Sequence, residues 1–412
     1  MLIMEHRTDK YWVTDFNYME DMLVGCDYPK RVGIHEVSLR EGDQNPGCVL
    51  TAAEKFELAK DFDDMGVDRI EMFAMVSDEE REALKALSKP GVLKNAKLAS
   101  LARTVPKDIE TAAKCGVEVI GIEGPGNGWV AKAIGVNSEE ESIASFVAAV
   151  KQAKECGIKE IIVGPWDIAR GTNLNYIERF IKETVEAGAT EISYADTFGF
   201  TMPWVVQGMI KKYREWAGEG VDVSCHFHND YGLATANTLA AVSAGANYVQ
   251  VAMNGLGERA GNTPTEEVIL NLMLNMGIET GVELEKMYPL AKKLETMSKT
   301  PFADNKPLLG SRNFKMGSGL IVDMLNKLEP QGGVPAVLPF VPSLIGCPPY
   351  EVVYGKGVGA NMIAKRVEDM GLTATKEETR AISEMIKKES VMIKDILPEY
   401  RVDNLIKNYL TK

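Results

Sequence analysis

The chain has 412 residues, 45% of them hydrophobic and 25% charged, with a formal net charge of −13. That length is more than one small domain needs, and the acidity argues against nucleic acid or an anionic membrane as the main partner. No apolar run is long enough to cross a bilayer, and the opening MLIMEHRTDKYW lacks the apolar core of a signal peptide, so a cytoplasmic protein is expected.

Residues 1–30 show no strand periodicity and read as an N-terminal extension. From residue 31 short apolar runs alternate with amphipathic stretches. The predicted strands are Val32–Leu39, Arg69–Ala74, Lys97–Ala102, Glu118–Ile122, Glu160–Val163, Glu191–Ala195, Asp222–His228 and Tyr248–Met253. Helix starts between them carry capping boxes, at Thr51 to Glu54, Ser77 to Glu80 and Ser138 to Glu141. Glycine closes several helices just before the next strand, in DDMGVD, AAKCGVE, AKECGIK, VEAGAT and VSAGAN. Eight such units predict a (β/α)8 TIM barrel over residues 31–285. A doubly wound sheet is the rival, disfavoured because no G-x-G-x-x-G follows the first strand. From residue 286 to 412 the chain turns loop-rich, with Pro and Gly clusters, and then helical at Thr375–Lys388. A small, mostly helical C-terminal region is expected there. The six cysteines are scattered, without C-x-x-C pairs, as in a reduced compartment.

The chain has four histidines, and two stand one residue apart in CHFHND, residues 225–230. In a strand, His226 and His228 face the same way. At the C-terminal end of a barrel strand they project into the mouth, where barrel enzymes place their sites. Two imidazoles there suit a divalent metal, or else a strand end with hydrogen-bonded histidines. A third ligand is expected from the first strand, HEVSLREGDQNPG, where Arg40 or Glu41 reaches the same mouth, although the REGD stretch alone also reads as a charged surface turn. Glu36, Ser38 and Arg40 are expected on one strand face, with His35 turned away from the barrel axis. Glu71, Arg103 and Thr197 fall at the ends of predicted strands, and Asn262 in NGLGERAGNTPTEE offers an amide oxygen.

Together these segments resemble the DRE-TIM metallolyases, the family of 2-isopropylmalate, homocitrate and citramalate synthases and of hydroxymethylglutaryl-CoA lyases. SLREGDQNPG is similar to the family's opening T-L-R-[DE]-G-x-Q segment. HFHNDYGLATAN is similar to its H-x-H-N-D-x-G-x-A-x-A-N segment. The resemblance implies that Glu41, His226 and His228, with Asn262 as a further ligand, hold a divalent Mg, Mn, Co or Zn ion. It implies that Arg40 stabilises the enolate or keto oxygen, and that Glu71 orients Arg40. Arg103 and Thr197 would hold the carboxylate of a 2-oxo acid, and Gln44 would line the same pocket. A homodimer is expected on the same ground, as is a synthase core without the feedback domain of many leucine-pathway synthases.

The chain departs from the family in its C-terminal region. Where synthases carry H-E-S-G-I-H, it has Met316, Gly317 and Ile321 in place of the first histidine, the glutamate and the second histidine. G-K-H-S-G is replaced by Gly355-Lys356-Gly357-Val358-Gly359. Asn127-Gly128-Trp129-Val130 stands for S-D-x-H, and Trp166-Asp167 for Glu-Asp. Unless His6 folds over the mouth, a general base could come from Asp230, Tyr231, Asp167, Asp196, Glu123 or a metal-bound hydroxide, which the sequence does not rank. The leading expectation is a Claisen-type condensation of an acyl-CoA, acetyl-CoA first, with a 2-oxo acid. The alternatives are an aldol or retro-aldol lyase and a noncatalytic metal-binding barrel subunit.

Overall fold

The structure, a computed structural model, describes residues 6–411; the first five residues of the expected N-terminal extension lie outside them. The described chain forms two compact units, one of residues 15–302 and one of residues 6–14 with 303–411.

The first unit is a closed parallel barrel in strand order β1 to β8. The strands are β1 (Gly33–Glu36), β2 (Arg69–Met72), β3 (Lys97–Arg103), β4 (Val119–Pro125), β5 (Glu160–Trp166), β6 (Glu191–Asp196), β7 (Asp222–Phe227) and β8 (Tyr248–Val251). The (β/α)8 expectation is met, and all eight strands fall within or overlap the predicted ones. Helix starts follow the sequence in part. Thr51 and Glu54 complete a reciprocal capping box. Ser77 and Ser138 accept from the third backbone N–H, at Glu80 and Glu141, without the return bond. Glu80 is diverted into the buried pair with Lys55, 2.8 Å away. Each of the five helix-closing glycines, Gly66, Gly116, Gly157, Gly188 and Gly245, takes a positive φ.

The barrel interior is layered. At the N-terminal end Arg69 lies across the lumen, 2.6 Å from Glu191 and 2.9 Å from Glu160, its guanidinium 3.8 Å from the Tyr248 ring centre. Above this charged floor sits an apolar layer of Ala99, Val119 and Ile162. The mouth lies beyond it, at the C-terminal strand ends.

The first strand ends earlier than expected. β1 stops at Glu36, and Ser38–Glu41 form a helical turn. The expected shared face of Glu36, Ser38 and Arg40 is therefore absent. Glu36 points outward, where its carboxylate accepts from Ser38 N (3.0 Å), Met253 N (3.2 Å) and Thr265 Oγ1 (2.6 Å). These bonds offset only part of the cost of full burial, which pushes its carboxyl up to about 7. His35, expected to face away, points inward, with Nε2 3.5 Å from Glu71 Oε2. Strand parity fixes this: with Glu36 outward, its neighbour must be inward.

In the second unit Tyr11 bridges Phe340, and a core of Val358, Ile363, Ile382, Ile386, Val402 and Ile406 joins its helices. The helix expected at Thr375–Lys388 runs from Lys376 to Ile393, with Thr375 as N-cap of a full capping box. Lys315–Met316 pairs in parallel with Glu351–Val352. Beyond that pairing the two altered motifs meet backbone to backbone. Gly319 N donates to Gly357 O at 3.0 Å. A Cβ on Gly357 would lie 2.5 Å from Gly317 O, so no larger residue fits without displacing the chain.

Candidate active site at the barrel mouth

A cavity of about 240 Å³ opens at the mouth, lined by Arg40, Glu41, Gln44, Glu71, Glu123 and Thr197 among others, and by both strand-7 histidines. It is deep and small, suited to an organic acid of few carbons.

Arg40 and Glu41 reach the cavity because the turn after β1 is helical, which aims adjacent side chains at one space. Arg40 Nε donates to Glu71 Oε1 at 2.7 Å, and its Nη1 donates to Glu41 Oε1. Glu71, on β2, thus stands where it orients the guanidinium. Burial disfavours the charge on Arg40, but the carboxylates of Glu41, Glu71 and Glu123 outweigh it and hold Arg40 charged. Burial likewise opposes the Glu71 carboxylate, and Arg40 reverses that, holding it well below the usual carboxylate range. The result is a fixed cation in a low-dielectric pocket, the device that stabilises a developing oxyanion.

Opposite lie the imidazoles. His226 is on β7, and His228 follows it in a bridge to Asn262. Their Nε2 atoms stand 3.3 Å apart, and His226 Nε2 is 3.5 Å from Glu41 Oε1. His226 Nδ1 is 3.0 Å from Gln250 Oε1, its register partner on β8. A proton on Nδ1 donated to that oxygen leaves Nε2 bare toward the cavity. Burial first, then the Arg40 guanidinium, lowers the His226 pKa to about 3; burial and His226 do the same for His228. Both rings are therefore neutral, with lone pairs available.

One atom from each of Glu41, His226 and His228 falls within 4.8 Å of the others. Glu41 Oε2 and Asn262 Oδ1 are buried without a hydrogen-bond partner, while Asn262 Nδ2 lies 3.1 Å from His226 Nε2. Two neutral imidazoles and a carboxylate facing one space repel through their lone pairs unless a cation lies between them. The donor set, two nitrogens with carboxylate and amide oxygens, fits a divalent metal. The glycine loop is shaped by this centre: a Cβ on Gly257 would lie 1.8 Å from Asn262 Oδ1.

Other expected residues divide. Gln44 and Thr197 line the cavity, and Thr197 Oγ1 accepts from Asp167 N at 3.0 Å. Arg103 does not line it. Its side chain is 61% exposed at the end of β3 and turns away to pair with Asp108 at 2.6 Å. Trp166 forms part of the wall and packs edge-on against Phe198, ring centres 5.5 Å apart, whereas Trp129 is exposed. Sequence reasoning missed Gln250, Ser193 and Glu258, all lining residues. For Gln250 the signal was its place on strand 8, in register with His226.

The chain belongs to the HMGL-like family, which matches residues 31–293. Its relatives at 30% identity or more include enzymes named as synthases. It is 33% identical over 357 residues to the (R)-citramalate synthase of Methanocaldococcus jannaschii, covering 86% of this chain and 70% of that one. It is 31% identical over 382 residues to the homocitrate synthase of Methanothermobacter thermautotrophicus, covering 92% and 93%. Among solved structures, an HMG-CoA lyase of Bacillus subtilis superimposes with a TM-score of 0.59 at 22% identity, over 67% of this chain and 96% of that one, and shares the barrel fold.

Proposed function

We propose that the protein is an acyltransferase that joins the acyl group of an acyl-CoA, acetyl-CoA first, to a 2-oxo acid in a metal-assisted Claisen-type condensation. The observation that carries this reading is the convergence of Glu41, His226 and His228 within 4.8 Å, beside the Arg40–Glu71 pair. The naming of the relatives as citramalate and homocitrate synthases adds to it.

Glu41, His226 and His228 would hold the ion, with Asn262 as a further oxygen donor. A bound divalent ion supplies Lewis-acid polarisation of the 2-oxo acid. Glu71 locks the guanidinium of Arg40 so that its free N–H groups meet the oxygen on which charge develops during C–C bond formation. Thr197 and Gln44 offer hydrogen bonds to the substrate carboxylate. Arg103, turned outward, takes no part in this reading. The closed floor of the barrel keeps water from entering behind the substrate. Among the described residues no disulfide joins the six cysteines, as expected of a reducing cytoplasm. A homodimer fits the exposed apolar side chains of Phe16, Met19, Met22 and Val24, which a second copy would cover.

The test is thiol release. Protein loaded with Mg²⁺, Mn²⁺, Co²⁺ or Zn²⁺ is incubated with acetyl-CoA and a panel of 2-oxo acids, and free CoA is followed. Release dependent on one acid is expected. If no acid supports release but a hydroxy-diacid is cleaved to a 2-oxo acid, the enzyme is a lyase and the condensation reading is wrong.

A further inference from the structure

Deprotonating an acyl thioester requires a positioned base, and the region where synthases carry a histidine holds Met316, Gly317 and Gly357 instead. We propose that Glu123, on β4, is that base: it takes the proton from the acyl α-carbon and returns it to the alkoxide of the product. The inference rests on the condensation reading above.

The placement follows from strand parity. A Cβ on Gly121 would meet Glu71 Oε2 and the Leu101 side chain, so Gly121 faces the lumen. Glu123, two residues on, faces it too, and lines the mouth cavity. Its register partner on β5 is Gly164, also inward-facing, whose missing side chain leaves open space beside the carboxylate. Glu123 therefore projects into the cavity near Arg40, with Glu41, Glu71 and Glu258 as the other charged groups around it.

The competing carboxylates are committed elsewhere. Asp230 is paired with Arg259 at 2.9 Å. Asp196 accepts from Gly199 N (2.9 Å) and Thr201 N (2.7 Å). Asp167 is held by Asn127 Nδ2 at 2.7 Å and by Arg170. Glu71 is bound to Arg40, and Tyr231 is 69% exposed. Among the described residues, no side-chain hydrogen bond or ion pair occupies the Glu123 carboxylate. Burial raises its carboxyl to about 7, Arg40 pulling it down and Glu41, Glu71 and Glu258 pushing it up. That value suits a group that must both accept and release a proton near neutrality.

The step balances within the site. The α-C–H bond breaks and its proton passes to Glu123. The carbon forms a bond to the keto carbon of the 2-oxo acid, whose oxygen becomes an alkoxide. Glu123 then protonates the alkoxide, and water hydrolyses the thioester to release the free thiol.

The experiment compares wild type, Glu123→Gln and Glu123→Asp, each loaded with Mn²⁺, by CoA release for kcat and KM and by calorimetry for Mn²⁺ affinity. In Glu123→Gln, kcat is expected to fall roughly 10²–10⁴-fold, with KM for the 2-oxo acid and Mn²⁺ affinity unchanged. Glu123→Asp, which keeps a carboxylate, should recover part of the loss. A fall in kcat below about tenfold in Glu123→Gln overturns the assignment and leaves the condensation reading intact. So does a loss of Mn²⁺ affinity or a rise in KM matching the fall in kcat, since either marks a structural role. Absence of CoA release from wild type with every 2-oxo acid overturns the condensation reading and this inference with it.

Discussion

The barrel mouth and the glycine junction of the C-terminal unit treat the family pattern in opposite ways. At the mouth several of the expected polar side chains are held by specific partners: Arg40 by Glu71, His226 by Gln250, Thr197 by Asp167. At the junction of Gly317 and Gly319 with Gly357 and Gly359 the close backbone approach stands without imidazole side chains. The backbone contact there needs no imidazole beside it. The two regions should answer differently to substitution, one in activity and the other in stability.

The largest effect is expected from His226→Ala. It should abolish Mn²⁺ binding by calorimetry and turnover together, while circular dichroism shows the fold unchanged. Next, Arg40→Ala should keep the metal and lower kcat/KM by roughly 10²–10³; full retained activity would remove Arg40 from the chemistry. At the junction, Gly357→Ala should cost about 1–3 kcal/mol in denaturant unfolding, from forced overpacking against Gly317 O, with Mn²⁺ affinity at the mouth unaltered.

A smaller effect concerns pH. Glu36 has its carboxyl raised from 4.5 to about 7, so the folded state holds its proton more tightly than the unfolded state. Its contribution is therefore full below pH 4.5 and lost as pH rises through about 7. The melting temperature of Glu36→Gln relative to wild type should rise between pH 5 and pH 8, and a flat difference would contradict the assigned ionisation. The smallest effect belongs to Arg103→Ala. Its exposed guanidinium pairs with the buried Asp108 carboxylate, so the substitution should show in stability, while the kinetics should stay at wild-type values; a large rise in KM for the 2-oxo acid would restore Arg103 to the carboxylate.

Much of this was legible because the barrel repeats itself. Short apolar strands marked all eight units and glycine stops closed five of the helices, and two histidines at i and i+2 could only share a face. What misled was local. Val32–Leu39 is continuous and apolar enough for a long strand, but Glu36 finds Ser38, Met253 and Thr265 outside the barrel, and the chain coils after it. That contact is long-range, so periodicity carries no trace of it, and the orientation of His35 was lost with it. Arg103 was placed by its position after a strand, which says where the backbone ends but not to which side the last residue turns. Glu123 was visible as one acid among several. Its distinction lies in the partners that occupy Asp167, Asp196 and Asp230, and only assembled coordinates reveal those.

The Arg69, Glu191, Glu160 and Tyr248 layer seals the lumen at the far end from the site. A pocket with a single doorway imposes an order on its visitors. Whatever docks deepest must arrive before, and depart after, the molecule that closes over it. If, as proposed, a small keto acid lies against Arg40 with a bulky thioester behind it, such a topology predicts ordered rather than random addition, with free CoA leaving ahead of the newly built diacid.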